Sequence, residues 1–107
     1  MRKATRLAGP AQVSNSAATK YTVPTSLMAV VRHIHVYNES ASAVTFTLSI
    51  GTDAAATRLF DAYSVAADSA FDHFCYYPMA AAEIIQAFSG TNNVLTLTIS
   101  GDVMYAG

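Results

Sequence analysis

Two histidines stand on alternate positions of one apolar segment, and a glutamate follows them. In RHIHVYNES, residues 32–40, His33, His35 and Glu39 carry side chains of the kinds that bind metal ions. Alternate side chains of a strand project from the same face, about 7 Å apart, so two imidazoles in this arrangement are able to chelate one ion. The spacing is compatible with a metal-dependent enzyme, and equally with a strand that carries two histidines on a solvent-facing or interface face.

The spacing His-x-His-x-x-x-Glu is also that of metal-binding enzymes of the cupin type, but the rest of their pattern is missing. That pattern asks for glycines at two flanking positions, where this chain has Leu27 and Phe46. The third histidine, His73, lies in FDHFC rather than in a proline-glycine turn, and Glu39 lies in the turn NESAS, where acidic residues are common. We therefore predict no metal and no other cofactor, and keep a cupin-like enzyme using the two histidines and the glutamate as an alternative.

A second candidate pair is His73 and Cys75, which share one face of the segment AFDHFCYY, residues 70–77. A thiolate beside an imidazole is a nucleophile. However, the pair has no orienting acid or glycine-rich oxyanion loop in the sequence, and a free cysteine is usually a small buried hydrophobic residue. The carboxylates are scattered, and no phosphate-binding glycine loop is found. We predict no catalytic residues and no enzymatic activity.

The composition is that of one domain with few charges. The 107 residues are 52% hydrophobic and 12% charged, and about half the usual charged fraction leaves much surface that is polar or apolar. No run approaches the roughly 20 apolar residues of a membrane-spanning helix. The basic start MRKATR leads into LAGPAQVSNSA, which lacks the apolar region of a secretory signal. We therefore expect that the protein is made in the cytoplasm and does not associate with a membrane. The single cysteine excludes an intrachain disulfide framework.

The basic residues are concentrated at the start of the chain. Arg2, Lys3 and Arg6 are half of the six lysines and arginines, whereas all seven acidic residues come later. A body with so few basic residues has no stripe that could follow a phosphate backbone. We therefore expect no nucleic-acid binding by the body of the protein.

Residues 1–19 have weak periodicity and include Gly9 and Pro10, so we predict an extended N-terminal arm with at most one short strand around ATRLA. From KYTVP onward, segments rich in β-branched and aromatic residues alternate with turn residues, which indicates strands. With KYTV the predicted strands number about eight, the others being at residues 27–38, 43–51, 57–65, 70–77, 83–89, 94–100 and 102–106.

The predicted strand at residues 43–51, AVTFTLSIG, alternates regularly between apolar and polar residues. Its polar residues Thr45, Thr47 and Ser49 are therefore predicted to form a solvated outer face. Residues 78–83 are predicted to form a tight connection before the next strand. The predicted fold is all-β: an antiparallel β-sandwich, jelly-roll-like, with an arm over residues 1–19 and a sandwich domain over residues 20–107.

The order of KYTVP, VVRHIHVYNES, AVTFTLSIG, TRLF and NNVLTLTISGDV resembles that of small tailed-bacteriophage virion proteins. The resemblance covers residues 20–103 and lies in turns and strand ends. It implies a β-sandwich that serves as a capsid-decoration, neck or collar, or tail accessory subunit, without enzymatic activity. The segment FCYYPMAAAEII departs from it, because many relatives have a leucine-rich strand and a Gly-Asp turn there.

The resulting expectation is a non-enzymatic virion structural protein that assembles on the capsid, neck or tail through its arm and its sandwich surfaces. Its partners would be copies of itself, as a homo-oligomer, and other virion proteins. An alternative is a carbohydrate-binding or receptor-binding module on the same fold. The predicted contact residues are the basic residues of the arm and an apolar patch after the aromatic strand: Arg2, Lys3, Arg6, Tyr76, Tyr77, Pro78 and Met79.

Overall fold

Eight strands build two antiparallel four-stranded sheets in a computed structural model, which describes residues 2–105 and, for Arg2, the backbone alone. The strands are β1 Arg2–Val13, β2 Ala18–Thr22, β3 Leu27–Asn38, β4 Val44–Ile50, β5 Arg58–Val65, β6 Ala70–Met79, β7 Ile84–Ser89 and β8 Leu95–Tyr105. The first sheet has the order β1-β8-β3-β6 and the second has the order β2-β7-β4-β5. The prediction of an all-β antiparallel sandwich is confirmed.

The core lies between the two sheets and follows the alternation of the strands. In β8, Leu95, Leu97 and Ile99 are buried while the intervening residues are partly exposed, and β7 shows the same period with Ile85 and Ala87 inside. Each fully buried aliphatic side chain of this size stabilises the fold by about 1.5–3 kcal/mol relative to exposure. The one helix among the described residues, a 3-10 turn at Ala55–Thr57, is far too short to cross a membrane, and no other described segment is a membrane-spanning helix.

Two predicted strands at the end of the chain are one strand, β8, which continues through Gly101. This glycine lies between Thr5 of β1 and Val31 of β3, and a Cβ at its position would overlap the backbone carbonyl of Val30. The glycine therefore permits close packing of three strands rather than ending one. A tight connection precedes β7, but it spans residues 80–83 rather than the predicted 78–83, because β6 continues through Met79. The backbone NH of Glu83 donates to the carbonyl of Ala80, and the next strand begins at residue 84.

The prediction of an extended arm over residues 1–19, with at most one short strand around ATRLA, is wrong for residues 2–13, which form β1, and for residues 18 and 19, which begin β2. β1 pairs with β8 along its length and contributes Leu7 and Val13 to the core. Two register shifts, between Arg6 and Ala8 and between Ala8 and Ala11, accommodate the segment that contains the glycine and proline. β2 then joins the second sheet, so this part of the chain closes one side of the sandwich.

The prediction of a solvated polar face on β4 is wrong for two of its three residues. Thr47 and Ser49 are buried, and of the three only Thr45 is exposed. The Ser49 hydroxyl donates to Asp53 at 2.8 Å, and the hydroxyl oxygen of Thr47 accepts from the backbone NH of Ala62 at 3.0 Å. The connection after β4 and the bulged strand β5 therefore cover most of this face.

Asn38, the last residue of β3, is fully buried and organises the turns at one end of the sandwich. Its Nδ2 donates to the carbonyls of Ser42, Val65 and Ala66 at 2.9–3.2 Å. Its Oδ1 accepts from both the backbone NH and the hydroxyl of Ser40. One side chain thus joins the β3–β4 turn to the connection that follows β5.

Candidate functional site

The histidines of β3 lie on the outer face of the first sheet, beside the edge strand β6. In the antiparallel register His33 is opposite Phe74 and His35 is opposite Asp72, while Ile34 between them is buried in the core. Alternation along β6 places Asp72 and Phe74 on the same outer face. Two strands therefore bring two imidazoles, a carboxylate and an aromatic ring together on one surface.

A register shift in β3 adds a fifth side chain to this surface. The pairing of β3 with both of its neighbours shifts between Val31 and His33. As a result the consecutive residues Arg32 and His33 are both at least partly exposed, whereas strict alternation would have placed one of them inside. Arg32 lies over the ring of Tyr76, 5.7 Å from its centroid, and donates to Asp102 at 3.3 Å.

The carboxylate of Asp72 lies between the two histidines. Its Oδ1 is 2.8 Å from Nε2 of His33 and 2.7 Å from Nδ1 of His35. These hydrogen bonds, that from His35 foremost, stabilise the carboxylate and lower the pKa of Asp72. Glu39, which the linear spacing grouped with the histidines, instead accepts a hydrogen bond from Gln12 at 2.9 Å. The cupin-like alternative is therefore wrong about the carboxylate: the acid beside His33 and His35 is Asp72, not Glu39.

The aromatic residues of the same face are unusually exposed. Phe74 is 77% and Tyr76 is 65% exposed. The ring of Phe74 stacks on that of His33, with centroids 4.5 Å apart and planes 11° from parallel. Phe74 therefore stands beside a polar cluster with its other side toward solvent. We call this surface, formed by Arg32, His33, His35, Asp72, Phe74 and Tyr76, the β3–β6 face.

The predicted apolar contact patch is divided between two faces of β6. Tyr76 and Pro78 are exposed, but Tyr77 points inward and packs against the core, and Met79 is 1% exposed within it. Met79 is therefore not a surface contact residue, because the strand continues to alternate through residue 79. The residue that takes its place on the surface is Phe74.

The inward side of β6 also contains the second candidate pair. The ring of His73 meets that of Phe60 edge-on at 5.0 Å, and its buried Nε2 has no hydrogen-bond partner in the described part of the chain. The thiol of Cys75 lies 3.5 Å from the carbonyl of Val31, and burial raises the pKa of this thiol. A raised pKa disfavours the thiolate, so the environment is opposite to that of an activated cysteine nucleophile.

Arg6, one of the basic residues predicted as contacts, lies beside Arg32 of the β3–β6 face. It lines a shallow depression with Arg32, Ser100 and Asp102 on the outer side of the first sheet. Lys3 is exposed and lies beside Leu27 at a separate hollow. The side chain of Arg2 lies outside the described part of the structure.

Sequence reasoning missed Asp72, Phe74 and Arg32 as members of the site. For Asp72 and Phe74 the only signal was the alternation in AFDHFCYY, which places them on one face without identifying the strand beside them. Arg32 had no such signal, because it reaches this face through the register shift in β3. Which strand lies beside another depends on the order of strands in the sheet, and the spacing of residues along the chain does not reveal that order.

No protein-family model and no curated protein matches this chain. Among solved structures, the chain is similar to one from Bacillus endospore appendages, described as disulfide-linked pili, with a TM-score of 0.54 and 10% identity over 100% of this chain and 88% of the other. It is also similar to the Tobacco streak virus coat protein dimer, with a TM-score of 0.53 and 7% identity over 99% and 86% of the two chains. A second crystal form of that coat protein gives a TM-score of 0.53 at 8% identity, covering 99% and 86%. At these identities the similarity establishes a shared fold.

Proposed function

We propose that the protein is a non-enzymatic structural subunit of a virion that assembles by contact between copies of itself through the β3–β6 face. The observation that carries the proposal is the exposure of Phe74 and Tyr76, at 77% and 65%, side by side on one strand. Large apolar side chains grouped on a surface mark interaction sites, and aromatic residues and arginine are enriched at protein interfaces. Arg32, held over Tyr76, belongs to the same surface.

The position of β6 supports a second copy of the chain as the partner. β6 is the last strand of the first sheet, so within residues 2–105 one side of its backbone has no strand beside it. Such an edge pairs readily with another strand, and pairing of β6 with β6 of a second copy would extend the sheet while bringing two exposed aromatic rows together. Contact through this edge would bury Phe74 and Tyr76 in the same step.

The shared fold supports the proposal, since the similar structures are a viral coat protein and the subunit material of pili. Disulfide linkage of the kind named for those pili does not form part of it. The single cysteine, Cys75, lies on the inward side of β6 rather than on the β3–β6 face.

The finer features of the proposal rest on the sequence resemblance. The virion is proposed to be that of a tailed bacteriophage, assembled from protein made in the host cytoplasm, with the subunit on the capsid, neck or tail. Arg6 and Lys3 are exposed on β1 and are proposed to contact a further virion protein. These contacts would be made by a strand of the sandwich rather than by a free arm.

The test compares the oligomeric state of the full chain with that of two variants, by light scattering coupled to gel filtration over a range of concentrations. We expect the wild type to form a defined oligomer and Phe74→Ser/Tyr76→Ser to dissociate, with a dissociation constant at least about tenfold higher because two interface anchors are lost. The matched control is Tyr105→Ser. Tyr105 is also 65% exposed, but it lies at the end of β8, opposite Leu27, and outside the β3–β6 face. A wild-type monomer at all concentrations, or an oligomer unaffected by the double substitution, would overturn the proposal.

A further inference from the structure

The two histidines and the aspartate of the β3–β6 face have the composition of a transition-metal site. Nε2 of His33, Nδ1 of His35 and a carboxylate oxygen of Asp72 all lie within 4.8 Å of one another. From this geometry we infer that the three residues bind one divalent ion of the zinc class, and the inference does not depend on the proposed assembly.

The spacing of the three ligand atoms requires little rearrangement. Zinc binds imidazole nitrogen and carboxylate oxygen at about 2.0–2.2 Å, so neighbouring ligands in a tetrahedral site are separated by about 3.4 Å. The present separations from Asp72 Oδ1, 2.7 and 2.8 Å, are shorter because hydrogen bonds join these atoms. Admitting the ion opens each of these by about 0.6–0.7 Å and brings the two imidazole nitrogens, which lie within 4.8 Å of each other, to the same separation of about 3.4 Å, through side-chain rotations.

The backbone already places the three side chains. His35 and Asp72 are direct partners across an antiparallel pair, and His33 projects from the same face of β3. The stacked ring of Phe74 further restricts the orientation of the His33 imidazole. Rigid strands and restricted rotamers reduce the ordering cost of binding, as preorganised sites require.

The ligand set and its exposure indicate the class of ion. Two imidazoles with one carboxylate suit zinc, copper and nickel, whereas magnesium and calcium prefer oxygen ligands alone. The side chains of His33, His35 and Asp72 are 29%, 38% and 47% exposed, so solvent reaches the site. Three protein ligands leave at least one coordination position open, to water or to a residue of another molecule.

The test is calorimetric titration of the untagged full chain, freed of metal by chelation, with Zn²⁺ and separately with Mg²⁺. We expect one Zn²⁺ per chain and no binding of Mg²⁺. His33→Ala, His35→Ala and Asp72→Asn should each weaken Zn²⁺ binding by more than the roughly 10–100-fold typical of residues that only support a ligand. The matched control is Glu39→Gln, which alters the carboxylate of the linear pattern and should leave binding unchanged.

A measurement on the wild type covers the case in which a variant fails to fold. Substoichiometric Co²⁺ should broaden the nuclear magnetic resonance signals of the His33 and His35 rings before those of His73. Absence of Zn²⁺ binding, unchanged binding in the three variants, loss of binding in Glu39→Gln, or Co²⁺ broadening centred elsewhere would each overturn the inference.

Discussion

Arg58 binds both carboxylate oxygens of Asp53, with Nε 3.0 Å from Oδ1 and Nη2 3.1 Å from Oδ2. Ser49, buried near the end of the inner strand β4, donates to the same carboxylate. The hydrogen bonds from Arg58 and Ser49 lower the pKa of Asp53. Asp53 therefore holds the connection after β4 against the polar face of that strand, and this contact keeps Ser49 out of solvent.

The pH dependence of stability tests this arrangement. A carboxyl group whose pKa is lower in the folded than in the unfolded state stabilises the fold above its unfolded pKa, and this contribution disappears as the pH falls through the folded pKa. Asp53→Asn should therefore lower the free energy of unfolding at pH 7, and the deficit relative to wild type should shrink as the pH falls below about 4. Urea unfolding of both proteins between pH 7 and pH 2.5 measures this difference in the free energy of unfolding. Asp68→Asn, at an exposed turn, is the control, and a deficit for Asp53→Asn that does not vary with pH would contradict the assignment.

Replacing Asn38 tests the buried amide that joins two turns. Asn38→Ala leaves the carbonyls of Ser42, Val65 and Ala66 without this donor inside the protein. We expect a loss of about 3 kcal/mol in the free energy of unfolding, because unsatisfied buried polar groups cost about 1–3 kcal/mol each and water will reach some of them. Denaturant unfolding measures the loss. Asn15→Ala, in an exposed turn, should cost less than about 0.5 kcal/mol, and equal losses in the two variants would refute the role of Asn38.

Gly101→Ala tests the close approach of β8 to β3. The added methyl group would overlap the carbonyl of Val30, which belongs to the backbone and cannot rotate away. We expect the free energy of unfolding to fall by about 3 kcal/mol or more, since overpacking that moves backbone is among the costly single changes. The neighbouring substitution Ser100→Ala, on the outer face, should change stability little. A Gly101→Ala protein as stable as wild type would show that the strands have room for a side chain.

The thiol of Cys75 provides a probe of the inward face of β6. Because burial raises its pKa, the thiolate fraction at pH 8 is smaller than for an exposed cysteine. Reaction with a disulfide reagent should therefore be slower than that of a free cysteine peptide, and should become equally fast in concentrated denaturant. Absorbance of the released thiol follows both rates, and an equal rate in the folded protein would mean that Cys75 is open to solvent.

Hydrophobic alternation made the strands of the body predictable. β3 was predicted with the bounds it has, and β4, β6 and β7 differ by one or two residues from the predicted ranges. Of β1 only a short strand around ATRLA was predicted, because Gly9 and Pro10 interrupt the pattern, whereas the structure accommodates them in register shifts beside a complete partner strand. Gly101 was interpreted as a break for the same reason, since a glycine that ends a strand and one that admits a neighbouring strand look alike in sequence.

The candidate site was only half predictable. Alternation placed His33 and His35 on one outward face, and the structure confirms that face. The carboxylate they meet, Asp72, is 37 residues beyond His35, and Glu39 was the nearer choice in the chain. Cross-strand register decides between the two acids, and register depends on the order of strands in the complete sheet.

The pairing of β1 with β8 also determines when the protein can finish folding. Arg2 lies opposite Met104 and Val13 opposite Leu95, so β1 cannot complete its pairing until β8, about 90 residues later in the chain, is available. Until β8 pairs, β3 also lacks one of its two neighbours, and Leu7 and Ile34 have no complete interior to enter. Pairings so distant in sequence slow folding to about milliseconds or seconds. During this time the apolar faces and unpaired edges of the strands stay exposed. The chain is therefore most vulnerable to aggregation for as long as β8 is not available to pair with β1 and β3.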